Sequence, residues 1–564
     1  MNYSWNVNPP DHEKVKMLCS ELGLSFFISK LLVSRNIYSI DKVKEFLSPT
    51  LDKLPTPFLL KGMDKSVERI IEAIESGEKI AVYGDFDCDG ITSTAILYNF
   101  LNRVEANATF YNPARIEEGY GINFESIKKL SNEGTTLIIS TDCGISENEV
   151  VEKSKSLNVD FIITDHHSVP DILPDAVSII NPKQKDCSYP FKEICAAGVV
   201  FNLIMALRSE LRNKGHFEFI KEPNLKRYLD LVAIATIADS MPLEGINRIF
   251  VFNGLKEVPR TDKKGLSELI GNGNKKQYSA RDISFQVAPK INAAGRVGKA
   301  SNAVKLLVED DIEVINSLVG IIEQDNSNRQ KIQEKVLTEA KEMGRKLMKQ
   351  NSNRNSLVLF SENWHPGVIG IVASKISENF NKPCAIISTQ NGTGKGSLRT
   401  KNKINLYEVL KKCKSTLIEF GGHSGAAGIS IEQKEIENFN NIFELSVTNY
   451  EHKVIEKCAD ISLDFDEITP KCLIDLQRME PFGRGNENPT FLTSQVKVKS
   501  KKILKEKHLE IFLEKNEIVQ RAIWFNFSKQ INVSDTIDII YKIQKDNYSN
   551  FSNTSLIVED IRTT

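Results

Sequence analysis

The chain has 564 residues, of which 41% are apolar and 26% charged, the composition of a soluble globular protein. Lys and Arg number 73 against 74 Asp and Glu, and this balance neither points to nor excludes nucleic acid, because a basic groove can face an acidic site. The apolar run Leu231 to Ala238 is far too short to span a bilayer.

At about 100–200 residues per domain, a chain of this length predicts three to five domains. Met1-Asn2-Tyr3-Ser4-Trp5 carries no basic segment followed by an apolar one, so no signal peptide and a cytoplasmic location are expected. The nine cysteines form no C-x-x-C pairs, which predicts free thiols rather than disulfides or a zinc site.

Residues 1–60 read as short helices with polar linkers. Over 61–245 short apolar strands alternate with amphipathic helices. Ile80 to Tyr83, Thr136 to Ser140, Phe161 to Thr164 and Val177 to Ile180 are the predicted strands, which implies an α/β domain with a mostly parallel sheet. Residues 246–355 form a helical connector, in which Leu318, Ile322, Ile332, Val336 and Ala340 keep helical spacing in two blocks around the polar run Gln324 to Gln330. A second α/β domain is predicted over 356–455. Over 456–564, Leu509 to Leu513, Val519 to Phe525, Thr536 to Ile543 and Ser555 to Ile561 suggest a small OB-like β-barrel.

Four segments carry candidate chemistry: Gly84-Asp85-Phe86-Asp87-Cys88-Asp89-Gly90, Thr141-Asp142-Cys143-Gly144, Thr164-Asp165-His166-His167 and Ala238-Asp239-Ser240. The first three come directly after predicted strands, and ligands of open parallel sheets bind at the carboxyl ends of the strands. A lone Asp after a strand is usually a turn or capping residue. Several together repel unless a cation neutralises them, and carboxylates with an imidazole favour Mn²⁺ or Mg²⁺. A carboxylate such as Asp142 can bridge two ions, and such a pair activates water and stabilises an in-line phosphoryl displacement. An EF-hand loop requires Glu at its twelfth position; Ile96 stands there, so that reading fails. Gly392-Thr393-Gly394-Lys395-Gly396 lacks the spacing of a P-loop.

This set of motifs resembles the DHH phosphoesterase superfamily and, within it, the RecJ-type single-strand exonucleases. Ala288-Pro289-Lys290-Ile291-Asn292-Ala293-Ala294-Gly295-Arg296, Trp364-His365-Pro366-Gly367-Val368-Ile369-Gly370 and Gly421-Gly422-His423-Ser424-Gly425-Ala426-Ala427-Gly428 come in the expected order, so the resemblance covers nearly the whole chain. It implies that Asp87, Asp89, Asp142, His166 and Asp239 ligate two Mn²⁺ or Mg²⁺ ions. His167 would face the scissile phosphate, and Asp85 and Asp165 would orient the ligands. Relatives with a smaller, related site use a His four residues before the first Asp ligand; here that residue is Tyr83.

Arg296, Ser397 and Arg399 would grip a terminal 5′-phosphate, with Gly421, Gly422 and His423 lining the groove and Arg115 as a further phosphate contact. Lys290 stands where the family commonly has Arg. In the barrel region Trp524, Phe525, Phe527 and Tyr541 with Lys501, Lys502, Lys505 and Lys507 could stack and guide bases, although core packing is the commoner fate of such aromatics. The activity implied is 5′→3′ degradation of single-stranded DNA to mononucleotides in repair and recombination. The implied partners are the strand itself and a single-stranded-DNA-binding protein, with the enzyme a monomer. The rival readings are a phosphodiesterase of small oligonucleotides and a catalytically inactive scaffold. The extra terminal regions argue against the first, and the filled ligand positions against the second.

Overall fold

The computed structural model describes residues 5–7, 9–114, 118–119, 121–271, 275–401, 404–448, 457–527, 531–546 and 554–563. Arg115 lies outside them.

The first α/β unit is a five-stranded sheet in the spatial order Ala108–Tyr111, Lys79–Gly84, Thr135–Thr141, Asp160–Thr164, Ser178–Ile180. Every neighbouring pair is parallel. These strands are apolar along both faces because helices cover the sheet on both sides. One apolar cluster joins Val82, Leu137, Ile139 and Ile162 to the helix Cys88–Arg103 and to the helices Ala196–Asn213 and Leu229–Ala238. A second joins Ala81, Tyr83, Ile138, Phe161 and Ile163 to Ile127, Leu130 and Val151.

Register decides where the chemistry sits. Gly84 pairs with Thr141, Thr141 with Thr164, and Thr164 with Ile180. The next residue of three strands is Asp, so Asp85, Asp142 and Asp165 stand abreast along the carboxyl edge. Their backbone amides extend the ladder: Asp85 N donates to Thr141 O at 3.2 Å, Asp142 N to Thr164 O at 3.0 Å and Asp165 N to Ile180 O at 3.0 Å.

The two apolar blocks of the connector belong to one continuous helix, Ile312–Gln350, of 39 residues. At 1.5 Å per residue it is about 58 Å long. The second α/β unit has a mixed sheet, Glu419–Gly422, Ala426–Glu432, Thr393–Arg399, Cys384–Gln390, Leu357–Ser361, parallel only between the last two strands.

The C-terminal strands Phe491–Leu504, His508–Lys515, Ile518–Trp524, Thr554–Thr563 and Thr536–Lys545 close into a barrel, because Thr536–Lys545 also pairs with Phe491–Leu504. Trp524 and Tyr541 are buried in its core, whereas Phe525 is exposed. The same apolar cluster takes in Val15, Leu18, Ile28 and Leu31 from the N-terminal helices, so the two ends of the chain share a core. Arg248 fixes that assembly to the first unit. It is buried, stacks over the Phe46 ring at 3.8 Å and donates to the carbonyls of Phe46, Met479 and Glu480. The nine cysteines are free, and no helix among the described residues is long and apolar enough to cross a membrane.

Candidate metal centre and phosphate site

Asp87 caps the helix Cys88–Arg103, its Oδ1 accepting from Asp89 N at 2.9 Å and Gly90 N at 3.2 Å. Asp89, in the first turn of that helix, is buried. Its two oxygens accept from Ala196 N at 2.7 Å and Ala197 N at 2.9 Å, the free donors at the start of the helix Ala196–Asn213. Asp142 comes just past its strand at φ +65°, a left-handed conformation that Asp and Asn accept more readily than most residues. Asp165 is held by four donors: its Oδ1 accepts from His166 N, His167 N and His167 Nδ1, and its Oδ2 from Ile145 N. Asp239 follows no strand: it ends the helix Leu229–Ala238, an apolar segment buried on all sides, which hides its helical period.

The five predicted ligands converge. His166 Nε2 lies 3.2 Å from Asp142 Oδ1, 3.7 Å from Asp89 Oδ2 and 3.8 Å from Asp239 Oδ2. Three overlapping groups bring their donor atoms within 4.8 Å of one another: Asp89, His166 and Asp239; Asp85, Asp87 and Asp142; and Asp142, His166 and His167. Asp85, expected to orient ligands, is therefore close enough to be one. Asp142 and His166 each belong to two of the groups. Asp142 Oδ1 is buried and accepts no hydrogen bond, a costly arrangement unless a cation takes the lone pairs. The donor set is oxygen-rich with imidazole, which fits Mn²⁺ or Mg²⁺. Tyr83 is turned away: its hydroxyl is 3.2 Å from Ser126 Oγ, and burial raises its pKa far above the ordinary value.

The electrostatics agree. Burial, then the charge of Asp87, pushes Asp89 up to about 6. Burial, then Asp89 and Asp87, pushes Asp239 up to about 8, and Asp142 rises well above the carboxylate range for the same kind of reason. Burial holds His166 down to about 3, leaving a neutral ring able to ligate. Burial opposes charge on His167, but the 2.8 Å contact with Asp165 outweighs it and raises the imidazole to about 9. Asp165, buried yet bonded to His167, stays below the ordinary value.

These shifts give a pH prediction. Ligands must lose protons to bind a cation, so Mn²⁺ affinity should climb as pH rises past about 6 and about 8, the values of Asp89 and Asp239. Without metal, the folded chain binds these protons more tightly than the unfolded chain. The stability they contribute is therefore greatest at low pH and is lost as pH rises through the same window. His166 is already neutral when folded and adds nothing above its ordinary range. Calorimetric Mn²⁺ titrations and metal-free melts at both ends of the window measure the two slopes.

Packing from the helix Ala288–Val297 fixes the acidic loop. Asn292 Oδ1 accepts from Cys88 N at 3.0 Å, and a Cβ on Gly295 would fall 1.8 Å from Phe86 O. Gly295→Ala is expected to cost about 1–3 kcal/mol of stability and to displace Asp85 to Asp89, lowering activity as well. Urea unfolding alongside a rate assay tests both.

The predicted phosphate residues form a second group. Arg399 Nη1 donates to Ser397 Oγ at 3.1 Å, and a Cβ on Gly370 would lie 3.4 Å from Arg399 Nη2. Arg296 Nη1 donates to Gly367 O at 3.2 Å, in the same turn. Gly428 pairs with Ser397 and with Gly421, and Gly422 pairs with Ala427, so the hairpin bearing His423 lies beside Arg399. Gly422 has φ +136° and would place a Cβ 2.5 Å from Ala426 O, so this turn requires glycine. Burial and then the Arg399 charge hold His423 below its ordinary pKa. Lys290 is tied to Leu269 O and to Glu323, each at 3.0 Å. Asn181, which sequence reasoning missed, is wholly buried and donates from Nδ2 to His167 O at 3.0 Å. No local motif marks it.

Comparison with known proteins fits this geometry. Residues 79–236 match the model of the DHH family, N-terminal domain, 353–449 that of the DHHA1 domain and 459–560 that of the RecJ OB domain. The single-stranded-DNA-specific exonuclease RecJ of Bacillus subtilis is 33% identical over 569 residues, covering 99% of this chain and 70% of the relative. The chain belongs to the RecJ family. The Escherichia coli RecJ is 34% identical over 471 residues, 81% of each chain. The crystal structure of Thermus thermophilus RecJ in complex with Mn²⁺ superposes with a TM-score of 0.84 at 28% identity, covering 100% of this chain and 80% of that one. Its complex with Mg²⁺ gives 0.79 at 27% identity, covering 100% and 78%. RecJ membership accounts for the parallel sheet, the second α/β unit and the barrel together.

Proposed function

We propose that the chain is a 5′→3′ exonuclease that hydrolyses single-stranded DNA to mononucleotides with two divalent ions, and that it serves DNA repair and recombination. The observation that carries this reading is the convergence of Asp87, Asp89, Asp142, His166 and Asp239, with Asp85 beside them, around a buried carboxylate oxygen that accepts no hydrogen bond. These residues would hold Mn²⁺ or Mg²⁺; when bound, such ions supply positive charge to phosphoryl oxygens and acidify water. His167 keeps its Nδ1 proton directed at Asp165, which leaves Nε2 to bond a phosphate oxygen or to protonate the leaving oxygen. Arg399, Ser397 and Arg296 would clasp the 5′-phosphate while the glycines of the His423 hairpin let the strand approach the backbone.

In this reading residues 61–245 carry the metal centre, 246–355 connect it to the phosphate-binding unit at 356–455, and 1–60 with 456–564 flank the pair. The chain would act as a monomer in the cytoplasm, beside a single-stranded-DNA-binding protein.

The test offers 5′-phosphorylated single strands, duplexes and dinucleotides to the full chain with Mn²⁺ or with chelator. Mononucleotide release from single strands alone, and only with Mn²⁺, is expected. Turnover of dinucleotides alone would point to a small-substrate phosphodiesterase, and binding without turnover to a scaffold.

A further inference from the structure

Two cations, Lys183 and Arg484, lie next to the acidic centre without belonging to its ligand groups. Lys183 comes after Asn181 and Pro182 in a turn hung from the catalytic edge of the sheet. Asn181 Oδ1 accepts from Lys183 N at 2.8 Å while its Nδ2 holds the carbonyl of His167, so the Lys183 backbone is tied to that of His167. The ion pair of Lys183, with Glu193, is long at 3.9 Å. Arg484 enters from the other end of the chain, on the segment leading into the barrel. Its carbonyl accepts from Leu243 N at 2.7 Å, and its Nη1 donates to Ser240 O at 3.3 Å, one residue past Asp239. Arg484 is exposed, and no carboxylate pairs with it among the described residues.

We propose that Lys183 and Arg484 hold internal backbone phosphates of the bound strand at the rim of the acidic centre. This assignment rests on the nuclease reading. The charges of Arg399, Arg484 and Lys183 all bear on His423, and that of Lys183 also bears on Asp239 and His166. Cations from three separate segments thus act on one side chain, and Arg484 makes no ion pair among the described residues. Mutual repulsion makes such a grouping unfavourable until an anion enters, and a polyphosphate backbone is the anion that spans it. The Arg fork suits two phosphate oxygens, and Lys acts as a point charge. Neither residue contributes to the metal groups, so their work is to hold the strand in position.

Binding of a fluorescent, 5′-phosphorylated oligothymidylate to the full chain in EDTA, tracked across a salt series, tests this without turnover. Each phosphate contact on a single strand contributes about 0.7 to the slope of log K against log salt, so Lys183→Gln and Arg484→Gln should each flatten it by about 0.7. Lys183→Arg should restore the parent slope. In Mn²⁺ both Gln variants should raise KM with kcat nearly unchanged. Parent-like slopes in the Gln variants, or a lower kcat at constant KM, would overturn the assignment while leaving the nuclease reading intact. A parent chain that neither binds nor degrades the strand would overturn that reading itself, and the assignment with it.

Discussion

Asp142→Asn is expected to lower strand hydrolysis about 10³-fold or more, because under the proposed mechanism Asp142 would support the several kcal/mol, here about 4, that metal charge contributes to phosphoryl transfer. The same change should leave the metal-free chain at least as stable as the parent. Asp142 is buried among Asp85, Asp87, Asp89 and Asp239, and its protonated form is strongly favoured by burial and by their charges. Asn keeps the shape, removes the charge and accepts the left-handed backbone at φ +65°. Activity and stability thus move apart, which loss of fold cannot imitate. Melting with and without Mn²⁺ completes the case: an ion at 100 times its dissociation constant stabilises the parent by about 2.7 kcal/mol, and the variant should lose most of that shift.

His167→Gln is expected to reduce kcat by about 10²- to 10⁴-fold, the usual contribution of a positioned proton donor or acceptor. Its side chain is 45% exposed, unlike that of His166 at 6%, so it faces the cleft where a phosphate would lie. Its Nδ1 is taken by Asp165, which orients the ring and sustains its charge. Because Asp89, Asp142, His166 and Asp239 remain, the Mn²⁺-induced rise in melting temperature should survive. Rates measured beside those melts separate this loss from the loss in Asp142→Asn.

The sequence makes the row of Asp85, Asp142 and Asp165 readable because each sits just past an apolar run, and a parallel sheet brings the carboxyl ends of its strands into line. Asp239 carries no such signal: it ends a buried helix, and only the resemblance singles it out. The strand Phe491–Leu504 escapes sequence reasoning because its second half is rich in exposed lysines, which mimic a polar loop. The break in the connector's apolar pattern is not an interruption of the helix; the polar middle is simply less buried there. Contacts between distant segments leave no local pattern. The carbonyl cradle of Arg248, the grip of Asn181 on His167 and the bond of Arg484 to Ser240 are therefore visible only in three dimensions.

The central claim is that the acidic cluster, once loaded with divalent ions, removes nucleotides from a 5′ end. A single strand labelled at its 5′ terminus and sampled from the first moments of reaction with Mn²⁺ tests it directly. Labelled mononucleotide should be the first and dominant product, and chelator should abolish it. A ladder of labelled strands shortening from the opposite end, or equal rates in chelator, would contradict the account.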